Sequence, residues 1–413
     1  MQRFYWILPY LACLTACAAL NWLYFPPGTF FPDEQRFLAS AVKLVATGEF
    51  RVGADRAWEM PGTVLFFSPF VRLFGPEGAI APIRFAQSLL LALQCGLIAF
   101  IAGRVARNET AAFIAACIAA LYPFLLFYQG LLLSETLFNT FLLGALAALY
   151  AWQARGARIG GLLVLACALF AAATLTKATL TVLPPLLIAV TAWTAGLAWR
   201  RIIAVLLAAA CLYAAFLSPW WIRNAAVLGS FVPFTTSSAQ NLYLGNNPEN
   251  LEGGIDWSRD VEPEVAARLL AMPDEVARQR AFGARATAYI KEHPAAFLDV
   301  AAKKFVRFWN IIPNAPEFRG IYAVVSAVSF GPVLLLALIG LVRLARQWRL
   351  LVPIVIVIGY FTAVHTVTIA SLRYRLPVEP LLIVLAAEPL AAIVARLFPR
   401  AMHGTEATAS HAS

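Results

Sequence analysis

Apolar residues occur along this chain in long runs, separated by polar connectors. About ten runs approach the roughly 20 residues that carry a helix across a bilayer. They are 4–25, 82–103, 110–128, 132–152, 160–177, 180–199, 202–221, 321–342, 351–370 and 377–397. Barrel strands would show alternating segments of about ten residues instead, and the sequence has none. The pattern predicts an all-α polytopic membrane protein of about ten transmembrane helices. Residues 1–25 hold the first span, 26–81 a loop, 82–221 six spans, 222–320 a second long loop and 321–400 three spans. The polar, small-residue tail 401–413 is expected to be disordered. No internal repeat is visible.

The first loop has a pattern of its own. It opens with Pro26-Pro27-Gly28, and Pro32 is placed to start a helix. Phe37, Leu38, Ala41, Val42, Leu44 and Val45 recur at helical spacing, as in a helix lying on a membrane surface. Gly48 is placed to end it. Residues 61–74 form a second apolar stretch, too short to span. In the second loop the helical pattern covers 261–292, within a charged middle.

Composition agrees with the pattern. Of 413 residues, 61% are hydrophobic and 13% charged. The net charge of +10 would suggest nucleic acid in a soluble protein. Here Arg3, Arg104, Arg107, Arg155, Arg158, Arg200, Arg201, Arg343, Arg346, Arg349, Arg396 and Arg400 sit in connectors, as topology signals do. They place both termini in the cytoplasm and both long loops outside. Nucleic acid is therefore not an expected partner. The Leu14-Thr15-Ala16-Cys17 stretch resembles a lipoprotein cleavage box. The apolar run continues to Phe25, however, and reads as an uncleaved anchor. All six cysteines fall inside apolar runs without metal-ligand spacing, as buried packing residues do.

The candidate chemistry lies where charge breaks these rules. Asp33-Glu34 follows the first span; acids there suit a helix N-terminus, and a carboxylate at a dry interface suits a general base. Arg84 opens the second span, either snorkelling to headgroups or orienting the acids. Glu135, after Ser134, opens the fourth span at a depth where ionisable groups face cavities. Lys177, Arg223 and the Arg373-Tyr374-Arg375 turn place basic groups on the outer side, against the topology bias. Such cations suit phosphate oxygens. A phosphate ester leaves without protonation, so a base for an acceptor hydroxyl and positive charge for the departing phosphate suffice. That is glycosyl transfer from a polyprenyl-phosphate sugar, with inversion in one displacement. A transporter or flippase of a lipid-linked anion is the rival, although transport sites tend towards the midplane. A scaffold would leave these groups without a shared role. Glu388 reads as an acid satisfied by Arg396, and His365 as a buried hydrogen-bonded group.

In these residues the chain resembles the GT-C class of lipid-sugar-dependent glycosyltransferases, the group of protein O-mannosyltransferases and lipid A aminoarabinose transferases. The matching pieces are Asp33-Glu34, Pro61, Arg84, Leu133-Ser134-Glu135 and Leu175-Thr176-Lys177. Further on come Pro219-Trp220-Trp221-Ile222-Arg223-Asn224, Gly245-Asn246-Asn247-Pro248 and Arg373-Tyr374-Arg375-Leu376-Pro377. The resemblance implies a GT-C bundle and a catalytic Asp33, with Glu34 beside it. It implies Lys177, Arg223, Arg373, Tyr374 and Arg375 as the lipid-phosphate site. Arg84, Glu135, Asn246 and Asn247 are expected to orient substrate. The implied partners are a lipid-linked sugar donor, an acceptor and membrane lipids, at the inner membrane with the site facing outwards. No cofactor is implied, and a divalent metal is dispensable. The soluble domain and the large luminal insertion of some members have no counterpart in this sequence.

Overall fold

The computed structural model describes residues 4–314 and 318–398. Arg3, Arg400 and the tail 401–413 lie outside the described residues. The described residues form α1 (Leu8–Leu23), α2 (Pro32–Thr47), α3 (Gly62–Gly78), α4 (Ile80–Ala106), α5 (Glu109–Leu121) and α6 (Pro123–Gln129). There follow α7 (Glu135–Ala154), α8 (Gly161–Thr176), α9 (Leu183–Thr194), α10 (Trp199–Leu228), α11 (Ser238–Gly245) and α12 (Pro263–Leu270). The chain continues with α13 (Glu275–Glu292), α14 (Pro294–Trp309), α15 (Ile321–Arg343), α16 (Trp348–Val367), α17 (Leu372–Arg375) and α18 (Glu379–Leu397). A Val52–Asp55 bridge is the β pairing among the described residues. Helices satisfy their own backbone groups, which hydrocarbon requires.

Among the described residues, seven helices are long and apolar enough to cross a membrane. The 110–128 run is not one straight helix. It breaks into α5 and α6, bent by 52°. Pro123 causes the break, because the residue before a proline leaves the helical region; Tyr122 sits at φ −73°, ψ 115°. The 160–177 and 180–199 runs give the shorter α8 and α9, of 16 and 12 residues. Conversely, α10 runs seven residues past the expected end at 221 and stops at Gly229, whose left-handed φ of 62° suits glycine. Arg223 and Asn224 are thus helical. The 377–397 run starts its helix at Glu379, placing that acid in the first turn.

Small residues let the centre close. Ala111, Ala112, Ala115, Ala116, Ala119 and Ala120 of α5 are buried at helical spacing, and α5 packs on α4 and α18. A Cβ on Gly340 of α15 would lie 2.0 Å from the Leu385 carbonyl oxygen of α18. Of the long helices, α7 and α18 are the most enclosed. Cys13, Cys17, Cys95 and Cys167 are buried, but Cys211 faces outwards from the protein and Cys117 is half-buried. Among the described residues, no group of three or more His, Cys, Asp or Glu side chains is placed to hold a metal ion.

Candidate active site

The two acids of the first loop part company at once. Helix α2 starts after extended Phe31, with Pro32 supplying the first helical φ. Glu34 turns back: its Oε1 accepts from the backbone N–H of Phe30 and Phe31, each at 2.7 Å. Its Oε2 accepts from Leu132 N–H at 2.8 Å. Glu34 is fully buried. It caps α2 and ties it to the segment before α7, and its burial keeps it from a substrate. Asp33, one position earlier, projects elsewhere and keeps its side chain 33% exposed.

Asp33 is the middle of a chain of ion pairs. Its Oδ1 accepts from Arg36 at 2.6 Å and its Oδ2 from Arg373 at 2.5 Å. Arg36 also pairs with Glu59. Arg373 Nε donates to Glu135 Oε1 at 2.5 Å, and Lys177 Nζ donates to the same oxygen at 2.8 Å. The order is Glu59, Arg36, Asp33, Arg373, Glu135, Lys177. Signs alternate, and three carboxylates balance three cations. Five elements meet there: the loop before α3, α2, the start of α7, the turn after α8, and α17.

The surrounding sequence explains the meeting. A Cβ on Gly62 would lie 2.7 Å from the Leu175 carbonyl oxygen, so only glycine lets α3 press the Glu59 loop against the Lys177 turn. Ser371 caps α17 by accepting from Arg373 N–H at 3.1 Å. Tyr374 stacks on His365, ring centroids 4.6 Å apart. His365 itself is hydrogen-bonded through Nδ1 to the Ile369 carbonyl at 3.0 Å.

Electrostatics follows from this geometry. Burial alone would raise the proton affinity of Asp33. The Arg373 and Arg36 guanidiniums outweigh it and hold the carboxyl below its usual value. For Glu59 burial wins over the pull of Arg36, and its carboxyl is pushed up. Glu59 Oε2 and Glu135 Oε2 are buried without a hydrogen-bond partner.

Several residues expected at the site are elsewhere. Arg84 donates to the carbonyls of Gly130, Pro26 and Gly28 at 2.8, 2.7 and 2.9 Å, bracing the loop ahead of α2. It does not touch Asp33. Arg223 donates to the Arg56 and Phe50 carbonyls at 2.6 and 2.8 Å, between the Trp220 and Phe50 rings. Arg375 is enclosed: it pairs with Glu379 at 2.8 Å, donates to the Asn310 carbonyl at 2.7 Å and lies over Phe330. Asn246 donates to the Leu242 and Val367 carbonyls at 2.8 and 2.9 Å, and Asn247 to those of Tyr243 and Asp260, each at 2.9 Å. A Cβ on Gly245 would meet the Thr368 carbonyl oxygen at 1.9 Å. The Gly-Asn-Asn turn therefore fastens the second loop to the end of α16. Glu388 pairs with Arg343 at 2.7 Å rather than with Arg396. Sequence reasoning missed Arg36 and Glu59. Arg36 stands three residues after Asp33, within reach on one helix face; Glu59 stands two before Pro61 and carried no other signal.

No family model and no curated protein matches the chain. Solved structures do. The apo crystal structure of the *Archaeoglobus fulgidus* oligosaccharyltransferase aligns with a TM-score of 0.60 and 13% identity, covering 98% of this chain and 52% of that one. The chain shares the fold of the aligned membrane part of that structure. It spans about half the length of that oligosaccharyltransferase. The archaeal oligosaccharyltransferase AglB from Archaeoglobus fulgidus, in complex with an inhibitory peptide and a dolichol-phosphate, aligns at 0.54 with the same identity and coverage. ArnT from *Cupriavidus metallidurans*, bound to undecaprenyl phosphate, aligns at 0.46 with 17% identity over 96% of this chain and 80% of that one.

Proposed function

We propose that the chain is a membrane glycosyltransferase. It moves a sugar from a polyprenyl-phosphate donor to an acceptor hydroxyl on the outer face of the membrane, with inversion and without a required metal. One observation carries the reading: a carboxylate that remains partly exposed is tied through Arg373 to buried Glu135, which also holds half-buried Lys177. The GT-C-like fold supports the class of reaction.

Without substrate the six charges neutralise one another. A donor phosphate brings negative charge that competes for Arg373 and Lys177. As Arg373 turns to the phosphate, Asp33 loses the neighbour that most depresses its proton affinity, and becomes a better base. The acceptor hydroxyl gives its proton to Asp33 while its oxygen attacks the anomeric carbon. The bond from that carbon to phosphate oxygen breaks, and the electron pair leaves on the lipid phosphate under Arg373 and Lys177. Glu34, Arg84, Arg223, Arg375, Asn246 and Asn247 hold the frame in this account. Lipid and glycan profiling of a deletion strain tests it: a lipid-linked sugar accumulates and a glycan is lost. Unchanged lipid-linked sugars together with a stranded lipid on one leaflet would point to transport instead.

A further inference from the structure

The opposite end of the bundle has a built feature that the transfer reaction does not use. An open notch of about 520 Å³ lies between α1, α4 and α5. Arg84 marks the end of α4 near the ion-pair chain, because it grips Gly130 beside the segment that Glu34 also holds. Arg104 lies about 30 Å further along the same helix, at ~1.5 Å per residue, close to the thickness of a bilayer's hydrocarbon core.

Glycines shape the floor. A Cβ on Gly96 would meet the Tyr10 hydroxyl at 3.0 Å, and one on Gly103 the Ala112 side chain at 3.0 Å. Above this floor stand the rings of Trp6, Tyr10 and Phe100, and beside them Arg104 and Arg107. Both arginines are exposed, and among the described residues neither makes a hydrogen bond or ion pair. Arg107 adopts a left-handed backbone, φ 52° and ψ 40°, at the end of α4. That region is uncommon outside glycine, asparagine, aspartate and histidine, so a charged side chain is held there at a conformational cost. Asn108 is already committed to capping α5 through Thr110 and Ala111 N–H. Glu109 also lines the notch. Among the described lining residues, two arginines and one glutamate leave a single positive charge.

We propose that this notch binds one anionic phospholipid, with its phosphodiester between Arg104 and Arg107 and an acyl chain along Trp6, Tyr10 and Phe100. The net charge matches a single phosphodiester. The aromatic wall at the end of apolar helices favours a lipid over a free phosphate. Basic pockets between helices on the cytoplasmic side characteristically take such headgroups.

Native mass spectrometry of the full chain in mild detergent, titrated with dioleoyl-phosphatidylglycerol or dioleoyl-phosphatidylcholine, tests this. Wild type should retain one phosphatidylglycerol in preference to phosphatidylcholine. The R104Q/R107Q variant should weaken that binding roughly tenfold or more, as expected for two basic residues at an anionic surface. R104K/R107K should keep most of it, F100A should weaken it with both arginines intact, and E109Q should strengthen it. The last three arms decide the matter if R104Q/R107Q misfolds. Equal binding of the two lipids by wild type, or unchanged binding in both R104Q/R107Q and F100A, overturns the proposal. Competition by glycerol phosphate as effective as by the lipid would mean a free-phosphate site and would also overturn it.

Discussion

Arg373 and Arg375 stand two residues apart in one turn of helix and have opposite lives. Arg373 is 24% exposed and bridges Asp33 and Glu135. Arg375 is 0% exposed, sealed against Phe330 and paired with Glu379. Residues at i and i+2 of a helix point to different sides, so one short motif supplies both a partly exposed cation and a sealed one. Asp33 and Glu34 repeat the lesson one residue apart: the first is partly exposed and meets two cations, the second is taken up by backbone amides. In both pairs the available group shares its partners, whereas the architectural one is held on several sides.

Breaking the enclosed member should have the largest effect on stability. Arg375→Ala leaves Glu379 buried and uncompensated, a loss of about 3–5 kcal/mol. Thermal unfolding in detergent should show a much lower midpoint or failure to accumulate, and Arg375→Met with Glu379→Leu should recover part of it. Its neighbour should behave differently. Arg373→Ala should cut sugar transfer by about 10²-fold, the scale of removing one donor to developing charge, with a far smaller change in unfolding midpoint than Arg375→Ala. A pair of variants with equal unfolding and equal transfer losses would erase the distinction.

The smallest effect is on pH. Asp33 has a folded proton affinity below its unfolded one, about pKa 3.9. Its stabilising contribution is therefore present above that value and is lost as pH falls through the lower folded value. The Asp33-dependent part of the unfolding midpoint should hold above the ordinary carboxylate range and begin to fall as pH drops through it. Arg373→Gln, which removes the main depressing charge, should shift the Asp33-dependent part of that acid transition to higher pH; comparison with a variant that also carries Asp33→Asn isolates it.

Much of this was legible in the sequence. Apolar runs gave the helical membrane class, and Pro32 and Gly48 bounded α2 because their backbone preferences are local. Asp33, Glu135, Lys177 and Arg373 stood out because charge near the membrane is costly. The partner of each charge was not legible, since pairing across the bundle depends on helix rotation and on contacts such as Gly62 with Leu175. Hence Arg36 and Glu59 escaped notice, and Arg223 and Arg375 looked like substrate ligands. The break at Tyr122–Pro123 was not legible from its proline, since Pro219, Pro332, Pro353 and Pro389 stand inside helices that run on.

The central claim is that Asp33 takes the acceptor proton. Sugar transfer from polyprenyl-phosphate donors in membranes carrying Asp33→Asn, with donor binding and the unfolding midpoint measured on the same preparation, tests it most directly. Transfer should fall by roughly 10²–10⁴-fold, the range of general acid–base catalysis, while the variant remains folded and still binds donor. Transfer within a few-fold of wild type by a folded, donor-binding variant would contradict the account.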